Sequence, residues 1–466
     1  MFRRSNFGKV RRVNALTRRI LPTAPKLAAM LALLLPAIWN RFPLLEYDTG
    51  GYFARWFEGT LAPSRSTTYG LFLAAGWPLD FWPIVIVQAA AAVWIIGLTL
   101  RVYRLDPHPA ALLTTIAALA ATTALPWIAS ELLTDIFAGL AVLAFYALVW
   151  DGSRMTAAER VALVLFIAFA ASTHSATFAV LLVLSAAALI ASAFSRVSVA
   201  RGAAVQGAGA LVLGAALLLA TNYAVAKRIA WTPGGYGIAF GRMLQDGIVT
   251  RYLDDHCPDA GVKLCVYRNE LPRDADDFLW GGGMFDKLGR FAGLGDEMRA
   301  IVLGSLRDYP ALQLKTALIA TGRQLAAVGT GEGVGTDIWH TYGMIEQYAP
   351  ADAAAMRAAR EQRSEISFRA VNAVHEPVAW AAMALLPLLI VLGFHRADFA
   401  DIGRLAGTVA LALLANAAFC GVISNPHDRY GSRIVWIAVF TATLAAWRAV
   451  ALARSYNARS TAEVFR

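Results

Sequence analysis

The chain has 466 residues, of which 58% are hydrophobic and only 16% charged, with a mean hydropathy of +0.52 and a formal net charge of +10. Apolar runs of this length exceed what a soluble core needs, so a water-soluble enzyme is excluded in favour of a polytopic membrane protein whose helical bundle absorbs most of the chain. The positive charge sits at the termini and at the ends of apolar runs, which points to orientation in a bilayer and argues against a nucleic-acid partner.

The N-terminal stretch 1–25 carries Arg3, Arg4, Lys9, Arg11, Arg12, Arg18 and Arg19, with Lys26 next and no acidic residue among them. Ten apolar runs follow, at 26–45, 82–101, 109–129, 132–150, 160–174, 177–195, 203–226, 377–395, 404–423 and 433–453. Each is near the ~20 residues that carry a helix across ~30 Å of hydrocarbon. The expected fold is therefore an all-α polytopic bundle of about ten spans. The first run reads as a retained anchor, since no small-x-small cleavage site follows it. The fifth and sixth are interrupted only around Ser172-Thr173-His174-Ser175, which suits two short spans or one long broken helix; two is the expected reading.

The basic start places the N-terminus in the cytoplasm. Threading ten spans from there brings Arg101, Arg104, Arg154, Arg160, Arg196, Arg201, Arg396, Arg404 and the tail Arg448, Arg454, Arg459, Arg466 to the same side. The expected organisation is a seven-span module over 26–226 with a first outward loop at 41–81, an outward segment at 227–376, three spans over 377–453 and a cytoplasmic tail at 454–466, which leaves both termini inside.

The outward segment mixes turn signals such as Pro233-Gly234-Gly235 and Gly281-Gly282-Gly283 with amphipathic stretches at Asp296 to Arg307 and Pro310 to Val328, which predicts a small, mostly helical cap. Cys257 and Cys265 bracket a short loop within it. They read as a disulfide, and hence as exposure to an oxidising compartment such as a bacterial periplasm. A metal pair is the competing reading, but no further Cys or tight His cluster completes a ligand set. Cys420 lies in an apolar span and reads as packing. The run Gly329 to Gly335 looks superficially like a phosphate loop. It follows no strand and lacks the Lys-Ser/Thr of a P-loop, so it reads as a mobile loop.

Unusual polar residues gather on the outward side. Glu46-Tyr47-Asp48 are the first acids of the chain, placed where it leaves the first span, where a carboxylate is costly unless it meets water, a metal or a cation. Glu131 and Asp135 stand four apart at the top of the fourth run, expected on one helix face. Arg65 lies in the first outward loop, His174 at the fifth-to-sixth turn, and His427 and Arg429 in the last outward loop. Plainer readings exist for each. Glu46 and Asp48 read as solvated loop charges, Glu131 as a helix-end carboxylate, Asp135 as a structural ion pair and His174 as an interhelical histidine. Arg65 reads as an interfacial anchor, and His427 and Arg429 as local partners of Asp428. Taken together, acids beside guanidinium and imidazole groups suit a bound phosphate or diphosphate with a carboxylate near an attacking hydroxyl. At a membrane surface, that describes transfer from a lipid phosphate.

A basic start, a first outward loop bearing Glu46-x-Asp48, a second acidic position at the third-to-fourth turn, and seven spans followed by a large outward segment together resemble the GT-C superfamily of integral-membrane glycosyltransferases. The likeness is to the polyprenyl-phosphate-sugar-dependent branch that includes protein O-mannosyltransferases and aminoarabinose transferases. The first outward loop differs from better-known members in having no adjacent Asp-Glu pair and no lysine. The resemblance implies a bacterial inner-membrane enzyme with its site facing the periplasm and a polyprenyl-phosphate-linked sugar as donor, leaving the acceptor open. Asp48 would be the catalytic base, Glu46 its partner, and Asp135 or Glu131 supporting acids. In some members a divalent cation sits at the acidic motif, here Glu46 and Asp48. The implied chemistry is inverting displacement: Asp48 deprotonates or orients an acceptor hydroxyl while Arg65, Arg429 and His174 stabilise the departing phosphate, with His427 a further donor-binding candidate. A transporter or lipid flippase, and a non-catalytic envelope assembly protein, are the rival readings; a transporter places its ionisable groups near the midplane between two related halves.

Overall fold

The computed structural model describes residues 23–105, 109–151, 154–194 and 199–464. Arg3, Arg4, Lys9, Arg11, Arg12, Arg18, Arg19, Arg196 and Arg466 lie outside the described residues, as does the side chain of Arg459.

Every expected apolar run contains a helix: α1 Ala24–Asn40, α2 Trp82–Val102, α3 Pro109–Thr122, α4 Ile136–Asp151, α5 Ala157–Thr173, α6 Ser175–Ala193, α7 Arg201–Ala226, α8 Arg369–His395, α9 Ala400–Ile423 and α10 Asp428–Val464. Among the described residues there is no strand, only two isolated bridges, Leu44 with Glu131 and Ala62 with Arg65. Six helices, α2, α6, α7, α8, α9 and α10, are long and apolar enough to cross a membrane, so the chain is an all-helical, multi-pass membrane protein. Of the other four, α1, α3 and α4, at 17, 14 and 16 residues, are shorter than the expected spans, and α5 has 17 residues.

The shortening of α3 and α4 has a local cause. α3 stops before Pro126, and a five-residue helix, Leu125–Ala129, takes over, with the Thr123 hydroxyl accepting from Leu125 N at 3.2 Å. Residues 130–135 are then drawn away from helix geometry by the first outward loop: Leu44 N donates to Ser130 O and Leu132 N to Leu44 O, both at 2.9 Å. Glu131 and Asp135 therefore do not share a helix face, contrary to the expectation from their spacing, and α4 begins only at Ile136. At the other break, His174 is extended (φ −153°, ψ 131°) between α5 and α6, as two helices require.

α4 is apolar on every face, and the described positions through Val149 are buried, which is the pattern of a central helix. It packs against α2, α5, α7 and α10. Gly139 admits the Trp436 ring of α10, because any Cβ there would fall 2.6 Å from its indole nitrogen. The basic helix ends meet at one end of this bundle. Arg101 pairs with Glu159 at 2.9 Å, Arg404 lies over the Trp150 ring at 5.4 Å, and Arg448 pairs with Asp401 at 2.7 Å.

The outward segment divides in two. Residues from 240 to 302 form their own core from Phe240, Leu253, Phe278, Phe285, Leu294 and Ile301, with Cys257 and Cys265 joined in a disulfide at a Cα separation of 5.6 Å. Val328, Ile338, Tyr342, Ile345 and Met356 instead join the core of the bundle. Between them, Pro310–Ala326 lies along α9, with Ala320 O close against Gly421. The expected stretch Asp296 to Arg307 extends to Arg290–Asp308, the stretch expected over Pro310 to Val328 stops at Ala326, and α8 begins at Arg369, inside the segment read as outward.

Candidate functional site

Opposite the basic end, three segments distant in sequence, the first outward loop, the turn before α4 and the start of α10, meet around one guanidinium. Arg429, in the first turn of α10, is hydrogen bonded through Nη1 to Glu46 Oε1; its Nη2 lies 3.1 Å from Asp48 Oδ2 and its Nε 3.1 Å from Asp135 Oδ2. Arg65 is hydrogen bonded to the other Asp48 oxygen. One turn further along α10, Arg433 Nη1 stands 3.6 Å from Asp135 Oδ1. Glu46, Asp135 and Arg433 are each 1% exposed in their side chains, whereas Asp48 and Arg429 retain 15% and 13%. The solvated-loop reading of Glu46 and Asp48 therefore fails, and neither His427 nor Arg429 pairs with Asp428.

The local chain explains the convergence. Asn40 and the buried Glu361 hold the exit from α1: Asn40 accepts from Glu361 N at 2.8 Å, and the Glu361 carboxyl accepts from Leu45 N at 3.1 Å. Thr341 accepts from Gly50 N at 2.9 Å and donates to Glu46 O at 2.9 Å, which pins the turn that carries both acids. Ser66 caps the helix Thr67–Ala74 and donates to Ser172 O at 2.7 Å, tying the Arg65 loop to the end of α5.

Burial pushes Glu46 up to about 7 against the pull of Arg429, while Asp48 and Asp135 push the same way as burial. Burial works against an ionised Asp48 as well, but Arg65 and Arg429 together hold it below the ordinary carboxylate range. Glu131 lies deeper. Its carbonyl accepts from Gln88 Nε2 at 2.8 Å, and burial, then Asp135 and Glu46, raise its carboxyl well above the usual range, so it stands as a neutral acid. It lines a narrow cleft with Trp127, Asp135, Thr330, Glu332 and Arg429.

The two histidines take other positions. His174 caps α6, accepting from Ala176 N at 3.2 Å, and burial followed by Arg433 drives it well below its ordinary value, so it is neutral. A cationic His174 at a phosphate is not what this arrangement provides. His427 bridges Glu332 at 2.7 Å and Asp276 at 3.4 Å; despite burial, these carboxylates lift it to about 10, which keeps it cationic. Both ring nitrogens are thus engaged away from the central acids.

Three participants were not singled out in the sequence. Arg433 is four residues beyond Arg429, a helical spacing in an otherwise apolar run that could have marked it. Glu332 accepts from Arg429 N at 2.8 Å, and Glu361 is buried 316 residues from the backbone it holds; no local pattern marks either. The glycine-rich run read as a mobile loop is pinned over the site. Gly329 N donates to Asp428 at 3.0 Å and Thr330 N to Asn372 at 2.8 Å, and Gly333, at φ +86°, presses its backbone against Glu46. Among the described residues, no group of three or more His, Cys, Asp or Glu side chains is arranged to hold a metal ion. Comparison with protein-family models, curated proteins and solved structures finds no match for this chain.

Proposed function

We propose that the protein is a membrane glycosyltransferase of GT-C type that moves a sugar from a polyprenyl-phosphate donor to an acceptor hydroxyl. The observation that carries this reading is the gathering of Glu46, Asp48 and Asp135 with Arg65, Arg429 and Arg433 at one end of an apolar bundle, beneath a cap, where a lipid-borne anion and a water-borne acceptor can meet. All ten helices would then be membrane-embedded, with the acidic end facing the periplasm of a bacterial inner membrane and both termini in the cytoplasm. An oxidised Cys257–Cys265 pair in the cap agrees with that orientation.

The carboxylates divide the work by environment. Asp48 stays ionised and is therefore a weak proton acceptor; it suits orienting the acceptor hydroxyl and stabilising the positive charge that develops on the sugar. Glu46, near 7 and hydrogen bonded to Asp48 N at 2.6 Å, is matched in basicity to accept the proton, which would pass to it from the hydroxyl as the carbon–oxygen bond forms and the phosphate leaves. Arg65, whose one ion pair among the described residues is to Asp48, has donors left for the departing phosphate.

Purified protein is assayed with labelled polyprenyl-phosphate sugar beside a liposome flux assay. Transfer that disappears in Asp48→Asn, with expression and membrane insertion intact, supports the enzyme. Near-normal turnover in that variant counts against Asp48, and vectorial movement without chemistry supports a transporter.

A further inference from the structure

The three acids of the site already have their cation. Carboxylates that hold a divalent ion converge on one point at about 2.0 to 2.6 Å. Here the oxygens that converge, Glu46 Oε1, Asp48 Oδ2 and Asp135 Oδ2, converge on the Arg429 guanidinium instead. The remaining Asp48 oxygen is taken by Arg65, and Arg433 stands beside the remaining Asp135 oxygen. Three guanidinium groups thus face three carboxylates, and the cluster is balanced without a further charge. A divalent ion entering it would have to displace a buried arginine, putting two positive charges where one already balances the cluster.

The arginine is also held from behind. Its backbone N–H donates to Glu332 Oε2 at 2.8 Å, and the other Glu332 oxygen is fixed by His427 at 2.7 Å. Its guanidinium lies 5.4 Å from the Tyr430 ring centre. Of the five N–H donors of a guanidinium, hydrogen bonds to Glu46 and Asp48 engage three, and Nε faces Asp135 Oδ2 at 3.1 Å as an ion pair without a hydrogen bond. With Nε buried against Asp135, one Nη2 N–H is left to meet a ligand.

We propose that Arg429 is the permanent cation of this site, standing where a divalent ion would sit among Glu46, Asp48 and Asp135, so that the protein works without a metal and offers the leaving phosphate a guanidinium in its place. The statement about the phosphate rests on the glycosyl-transfer reading; the exclusion of a divalent ion does not.

The test is a manganese(II) titration of the purified full-length protein in detergent, followed by electron paramagnetic resonance, for wild type, Arg429→Met, Arg429→Lys and Asp48→Asn. Wild type and Arg429→Lys, which keep a positive charge among the acids, are expected to leave manganese free into the millimolar range. Arg429→Met, which leaves the acids facing one another, should take up one ion at least about tenfold more tightly. Stoichiometric uptake by wild type that Asp48→Asn abolishes overturns the proposal, as does a monodisperse Arg429→Met protein no tighter than wild type. If Arg429→Met does not fold, the wild-type titration decides alone. In the enzymatic arm, transfer by wild type should be unchanged by EDTA. Absence of transfer under every condition, with the manganese pattern as expected, removes the transferase reading and leaves the internal cation standing.

Discussion

Asp135→Leu should be among the most destabilising single changes in the chain. Asp135 and Arg433 are both 1% exposed and face each other at 3.6 Å, and Asp135 is the only carboxylate paired with Arg433 among the described residues. The other groups on Arg433, Asn416 at 2.7 Å, Cys420 at 3.3 Å and His174 at 3.5 Å, supply no negative charge. At 3.6 Å and an effective dielectric of about 20, the lost attraction is about 4.6 kcal/mol, in line with the roughly 3 to 5 kcal/mol found when one member of a buried pair is removed. Arg433→Leu should cost less, because Asp135 keeps Arg429 at 3.1 Å. The double variant should recover most of the Asp135→Leu loss, since neither charge is then stranded and Arg429 retains Glu46 and Asp48. Unfolding by sodium dodecyl sulfate in mixed micelles, read by tryptophan fluorescence on the four proteins, gives the cycle. An Asp135→Leu protein within about 1 kcal/mol of wild type, or a double variant no better than that single, refutes the reasoning.

Two further outcomes follow from the surroundings of the site. Glu361, ordinarily near 4.5, is raised by burial to about 8, so the folded protein holds a proton that the unfolded chain releases; its contribution to stability is complete below about 4.5 and lost as pH rises toward 8. Glu361→Gln keeps an acceptor for Leu45 N and should flatten the fall of the unfolding midpoint across that window, a reading that parallel curves would remove. Gly333→Ala places a side chain at φ +86° against the Glu46 carboxylate, with roughly 1 to 2 kcal/mol of left-handed strain besides. It should weaken transfer and speed amide exchange over 329–335, whereas Gly335→Ala, with open space around its Cβ, should do neither; equal behaviour of the two variants would show that the loop does not seat on Glu46.

Much of this architecture is legible in residue patterns because the bilayer imposes a coarse rule: apolar runs of sufficient length become helices, and basic residues mark their ends. Glu46, Asp48, Arg65, Asp135 and Arg429 were recognisable because an acid or a guanidinium at a span boundary is costly and therefore conspicuous. The extent of the spans was less legible. The 109–129 and 132–150 runs look continuous, and nothing near Ser130 announces that Leu44 will claim its carbonyl. The helical spacing of Glu131 and Asp135 misled for the same reason, since a tertiary bridge overrides local periodicity. His174 stands between two helices as expected, but its charge state depends on burial and then on Arg433, 259 residues away. Glu332 sits in a run whose composition suggests looseness, and only its partners on α10 reveal that the loop is fastened.

The Glu46–Arg429 contact joins residues 383 positions apart. At the roughly 5 to 20 residues per second of ribosomal synthesis, Glu46 waits about 20 to 80 seconds before its counter-ion exists, whereas Arg65 follows Asp48 by only 17 residues. Until α10 arrives the Glu46 carboxylate is best left in water, so the nascent first loop is expected to close inward only at the end of translation. A chain arrested before that helix would therefore be a bundle with an open, unneutralised mouth, and quality-control proteases would meet the defect at the place where function is assembled.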